Sequence, residues 1–475
     1  MKTVSKGIGA NVSTSLMGQP SARMPFISFL MRYPIYLLAF GPPTFRSSVG
    51  IDATKGVLDV WAFIQAFWIA AITFISIYRI LTAGIIYIPQ KIRNILILAT
   101  ILGLLFSLSA LYSPSRSVSF AYSLLYFMTL ISIIAFIADA YISPPDWMQC
   151  LLYMRRIMLV LYAMIIIALI VDPKEVMVYI PGVGIRLGGG TIAPISLVCP
   201  TIAIISAYYI VYSLEPKAKS IIYFVSAFAG TLITQSRGAE LTLLLPLVIV
   251  GVLWASSSKR SSYLFISSAL TLLVSTVLAV AYIGGERVWN LINRNQSLEG
   301  IKSASGRTDI WKFVIAYCLS HPLGMGYIAG FRIYFKSYFA LGIQVDTSRI
   351  GASHNSFIDV LADAGWPALA IYLCMLFLIV LYGWSSANMR PLGKMSAIDP
   401  FQHVIRCSLL LLFSFFINGM DTSDFSVPLR TSFYLQFIVI SMILVYSANI
   451  RRKMRADLFM YRELSGLTLS HSETL

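Results

Sequence analysis

The sequence predicts an all-α polytopic membrane protein, with about twelve transmembrane helices and one long polar loop between the ninth and tenth. Three observations predict it. Hydrophobic residues make up 58% of the 475 and charged residues only 12%, a balance that excludes a soluble globular domain. Apolar runs recur at the length, roughly 17 to 25 residues, that a hydrocarbon core about 30 Å thick requires of a helix. Basic residues then alternate in number from one short loop to the next, as they do when positive charge resists translocation.

The predicted spans lie near 25–41, 58–80, 94–111, 118–140, 156–171, 191–213, 220–236, 239–255, 263–283, 364–383, 403–418 and 430–449. Pro, Gly, Ser and charge clusters separate them, as at Pro42-Pro43, Pro144-Pro145 and Glu215-Pro216. The chain divides accordingly into an N-terminal tail (1–24), nine spans (25–283), a polar loop with the outer extension of a helix (284–363), three spans (364–449) and a basic tail (450–475). With both tails in the cytoplasm, Arg79, Lys91, Arg93, Arg155, Arg156, Lys217, Lys219, Arg390, Lys394 and Arg451 to Arg455 all fall inside. The 284–353 segment then lies outside, which in a bacterium with two membranes is the periplasm.

The formal net charge of +16 does not indicate nucleic acid, because the basic residues sit in loops between apolar spans, where they orient the chain. The cysteines at 150, 199, 318, 374 and 407 form no Cys-x-x-Cys pair and imply neither a disulfide framework nor a zinc site. No repeat at fixed period appears, and Arg32 and Asp139 lie near span ends, within reach of headgroups. That weighs against a transporter or flippase for lipid-linked sugars, the alternative from another class.

On the outer face, the loop around GVGIRLGGG has the wrong spacing for a dinucleotide fingerprint, and its glycines are expected to make a tight turn that presents Arg186. Ser236-Arg237-Gly238 joins two spans by a turn too short to leave the membrane surface. Arg237 there is a snorkelling anchor or a guanidinium placed at a lipid diphosphate, whose oxygens its planar fork fits. Gly306-Arg307-Thr308-Asp309 opens a segment whose Ile310, Trp311, Phe313, Val314 and Tyr317 recur at helical spacing until His321-Pro322. Arg307 sits at that helix start, as an anion site or as a loop arginine paired with Asp309 or Glu299. A further helix begins at Ser353-His354-Asn355, with Ser353 the expected N-cap and Gly365 and Pro367 a kink. His354, beside a helix N-terminus, is expected neutral and able to accept a proton. Asp359 and Asp363 are expected to be hydrated or paired with loop cations. Asp421 and Asp424 are read as turn residues, and no metal is assigned.

Taken together, SRG, GRxxxW with a downstream HPxGxG, and SHNxFxxxLADxG resemble the bacterial O-antigen ligase and polymerase family over roughly residues 190–385. The resemblance implies a C-type membrane glycosyltransferase that uses no metal or other cofactor. Its donor would be a glycan on undecaprenyl diphosphate, its acceptor a glycan or lipid core, and its site periplasmic, in the bacterial inner membrane. Other polysaccharide-export components are the expected protein partners. By the same resemblance Arg237 and Arg307 bind the diphosphate, His354 is catalytic, and Arg186 belongs to the donor pocket.

Overall fold

A computed structural model describes residues 24–40, 60–82, 88–171, 173, 177–180, 184–187, 192–234, 236–255, 307–331, 353, 355–389, 399–422, 428 and 431–472. In chain order the helices are α1 (Phe26–Arg32), α2 (Val60–Thr82), α3 (Gln90–Ser109), α4 (Arg116–Ile142), α5 (Trp147–Val171), α6 (Ile192–Tyr212), α7 (Lys217–Ile233), α8 (Arg237–Ala255), α9 (Arg307–Ser320), α10 (Ser356–Ala387), α11 (Pro400–Asp421) and α12 (Thr431–Ser472). Eight of these, α2 to α6 and α10 to α12, are long and apolar enough to cross a membrane. The chain is an all-α polytopic membrane protein, with one small β element. The ninth predicted span, 263–283, lies outside the described residues.

The first predicted span is not one helix. After seven residues α1 ends, and Pro34–Phe40 continues as a 3-10 helix. Pro34 supplies the cause: it donates no backbone hydrogen bond and pushes the residue before it out of the α region, where Tyr33 indeed sits at φ −121°, ψ 74°. The break turns Phe29, Tyr33 and Tyr36 into an aromatic cluster with Phe136 and Tyr153.

α12 forms the centre of the bundle. Its most apolar stretch is wholly buried, against α4, α10 and α11, whereas α2 leaves most of its length exposed, as a lipid-facing helix does. The helix runs on through the basic tail to Ser472 without a break. The β element is a hairpin of β1 (Met177–Ile180) with β2 (Gly184–Leu187), in which Arg186 pairs with Val178. Val178, Tyr179 and Ile180 before Pro181-Gly182 and Ile185 after it favour such an antiparallel pair, and the glycines of the expected tight turn at 188–190 lie outside the described residues.

Ion pairs and cation-to-backbone bonds gather at one end of the bundle. Arg79 meets Asp139 at 2.8 Å and Arg32 meets the same carboxylate at 3.9 Å, so these groups pair with one another rather than merely reaching headgroups. Lys453 meets Asp399, Arg452 donates to Tyr141 O and Arg406 to Ala387 O. Arg155, 1% exposed, is held by Glu215 through two bonds of 2.5 and 2.8 Å and lies between the rings of Tyr209 and Tyr223. Burial alone would raise the Glu215 carboxyl, but its bonds to Arg155 and Ser220 outweigh that and hold it below the usual range.

Candidate functional site

The opposite end is organised by a break in α10. At Ala364 and Gly365 the helical angles fail, with Gly365 at φ +76°, ψ −170°, where the sequence places its kink. A β-carbon on Gly365 would stand 1.9 Å from Pro322 O, so only glycine lets the His321–Gly326 turn close against the break. The turn then satisfies the backbone groups that the break exposes. Trp366 N donates to Pro322 O at 3.0 Å, Met325 N to Ala362 O at 2.7 Å and Gly326 N to Asp363 O at 3.0 Å. The HPLGMG run is therefore a plug for the kink, and Gly326, at φ +110°, is pressed against Ser113.

Asp363 and Asp359 are buried, which corrects the expectation that they hydrate the helix. Asp363 Oδ1 accepts from Ile328 N at 2.9 Å, and Asp359 Oδ1 from Ser353 N at 3.1 Å. Each carboxylate holds the backbone of another segment. Ile328 needs it: a β-branched residue at φ +62° is strained. Next to it the Tyr327 ring stacks on Phe106 at 4.0 Å, and Tyr327 O accepts from Ser119 Oγ, so the loop is tied to α3 and α4 as well.

Helix α9 packs on α10 through Ile310, Val314 and Cys318, one side chain per turn against Leu361 and Ala362. Burial and the charge of Asp363 push the Cys318 thiol up to about 12, which makes it inert. The Trp311 indole donates to Ser353 O at 3.0 Å. This bond sets the start of α9, with Arg307 half-buried one turn away, beside the segment that leads into α10. Sequence reading made Ser353 the N-cap. Asn355 takes that role, its Oδ1 accepting from Phe357 N and Ile358 N, while Ser353 is bonded to the backbone of Asn355 on both its N–H and C=O. An Asx acceptor in extended conformation simply outcompetes the hydroxyl two residues earlier.

From α10 the contacts pass to α11 and α8. Ser356 Oγ donates to Thr422 O at 2.8 Å, joining the start of α10 to the end of α11. Lower down, Ser414 Oγ of α11 donates to Thr242 O of α8 at 3.0 Å. The start of α8 is Arg237, three residues after α7 ends. The structure thus gathers three helix starts at one end: those of α8, α9 and α10. Arg307 is placed there with its side chain and Arg237 by its backbone, whereas Arg186 stands on β2 of the hairpin. His354 lies outside the described residues, with both neighbours, Ser353 and Asn355, inside this cluster. Asp424 also lies outside them.

Sequence reasoning missed Asn418, a fully buried amide on α11 between Ser414 and Thr422 whose two polar atoms have no hydrogen-bond partner. A polar residue in the otherwise apolar FFING run was its only signal.

No curated protein matches the chain. The family model described as O-antigen ligase matches residues 222–373, from α7 to the middle of α10, and takes in Arg237, Arg307 and His354. Over those residues, about a third of its length, the chain is similar to the O-antigen ligase family.

Proposed function

We propose that the protein is a membrane glycosyltransferase that transfers or polymerises a glycan carried on undecaprenyl diphosphate, at the periplasmic face of the bacterial inner membrane, in the biosynthesis of a surface polysaccharide. The observation that supports this reading is that the starts of α8, α9 and α10 lie at the same end of the bundle. Two of these begin with arginine, and the third follows directly on His354 and Asn355. Helix starts present unpaired N–H groups and positive dipole ends, and guanidinium groups there suit a diphosphate.

In this reaction an acceptor hydroxyl oxygen attacks the anomeric carbon, and the bond from that carbon to the diphosphate breaks. His354 takes the hydroxyl proton. Arg237 and Arg307 meet the charge that grows on the departing diphosphate, so they stabilise the transition state more than the ground state. No metal is required to play that part, and Arg186 on the hairpin completes the donor pocket. The acceptor is a second glycan or a lipid core.

The test is transfer in vitro, with purified protein in lipid and the carrier-linked glycan extracted from a deletion strain. His354→Ala should abolish transfer while the donor still binds. Arg307→Gln should lower kcat roughly 100- to 1,000-fold, the usual cost of one transition-state donor. Movement of the donor across vesicles with no covalent product would instead make the protein a translocator. In the deletion strain, accumulated single repeat units would mark a polymerase and full-length carrier-linked chains a ligase.

A further inference from the structure

Among the described residues at this end, Asn418 is a buried side chain to which the fold gives no polar partner. It is 0% exposed, and both its Oδ1 and its Nδ2 lack a hydrogen-bond partner. Its place follows from the bond between Ser414 and Thr242, where α11 and α8 run antiparallel. One turn further along α11, about 6 Å, stands Asn418, and one turn back along α8 stands Gly238. The amide therefore faces the first turn of α8, which begins with Arg237 and continues with the small residues Gly238 and Ala239. One more turn along α11 brings Thr422, bonded to Ser356 at the start of α10. Asn418 thus stands between the helix start that carries Arg237 and the one that follows His354.

A carboxamide offers two donors and one acceptor oxygen. Leaving all of them unmet in a dry interior is costly, and an apolar residue would avoid the cost. An ionised diphosphate would answer only the NH2, because its oxygens are acceptors. A sugar hydroxyl or acetamido group answers both halves. We infer that Asn418 is a sugar-contacting residue, which binds a group of mixed donor and acceptor character on the sugar that adjoins the diphosphate. The inference rests on the glycosyltransferase reading above and assigns α11 a share in donor selection.

Asn418→Leu tests it, since leucine keeps the volume and removes both polar atoms. The thermal midpoint in detergent should stay or rise, because no formed bond is lost. The KM for the extracted carrier-linked glycan should rise at least about tenfold, in keeping with a lost hydrogen-bonded contact. Inhibition by sugar-free undecaprenyl diphosphate should not change. An unaltered donor KM overturns the inference, and so does a parallel loss of inhibition by the sugar-free carrier, which would make the amide a diphosphate ligand. Should the leucine variant not fold, Asn418→Ala carries the same expectations for KM and inhibition. Absence of any covalent transfer by the wild type would sink the transferase reading itself, whereas wild-type transfer with an unaltered donor KM in Asn418→Leu sinks only this inference.

Discussion

At the end of the bundle that gathers Arg155, Glu215, Asp139 and Asp399, cation meets carboxylate directly. At the opposite end the carboxylates of Asp359 and Asp363 accept backbone N–H groups, and arginines stand at helix starts. The first arrangement neutralises charge and fixes helices to one another. The second holds loops in shapes they would not keep alone and sets arginines at two helix starts. If this is the division between scaffold and site, damage at the first end should cost stability alone, and damage at the second should cost transfer out of proportion to stability.

The largest effect is expected at Glu215. Glu215→Ala strands a guanidinium that is 1% exposed, a loss of about 3 to 5 kcal/mol. Thermal unfolding in detergent reads it, and transfer per folded molecule should not change. Because the Glu215 carboxyl is held low in the folded protein, its contribution is present above the usual carboxylate range and fades as pH falls through the folded value. The wild type should therefore lose part of its margin over the variant on acidification. A fall in transfer per folded molecule would break the comparison from the scaffold side.

Gly365→Ala comes next. It places a methyl 1.9 Å from Pro322 O and an L side chain at φ +76°, a cost of about 3 kcal/mol. Relief requires the His321–Gly326 plug to leave the kink, which carries α9 and Arg307 away from α10. Transfer should fall further than the melting temperature suggests, and a protease should cut the 321–331 segment sooner than in the wild type.

The sequence made some of this legible and not the rest. Span positions were readable because apolar length is a one-dimensional property, and so was the kink at Gly365, because Gly and Pro act locally. The break at Pro34 was readable too, but an unbroken apolar run hid it. The burial of Asp359 and Asp363 was not legible, since Ser353 N and Ile328 N, which they hold, are backbone groups that composition never marks. Ser353 lost the cap to Asn355 over two residues, within the uncertainty of any helix boundary. Asn418 could not be singled out, because its neighbours across α8 belong to a helix some 180 positions away in the chain. Local chemistry is written locally; which polar group faces which helix start depends on packing.

The smallest effect on stability is also the sharpest probe of the comparison. The indole of Trp311 keeps its ring against α10 while its N–H reaches Ser353 O. Trp311→Phe retains most of the apolar contact and removes that one bond, so the melting temperature should drop by no more than about 1 kcal/mol implies. Ser353 nevertheless precedes His354 directly, and the bond is what couples the helix that starts at Arg307 to the segment bearing the histidine. A loosened base and a displaced guanidinium should appear in kcat, with donor KM little altered, because misplacement by an ångström already lowers rate steeply. If kcat and stability instead decline together by the same small amount, then α9 serves as packing for α10, and the outer end works by the same rules as the inner one.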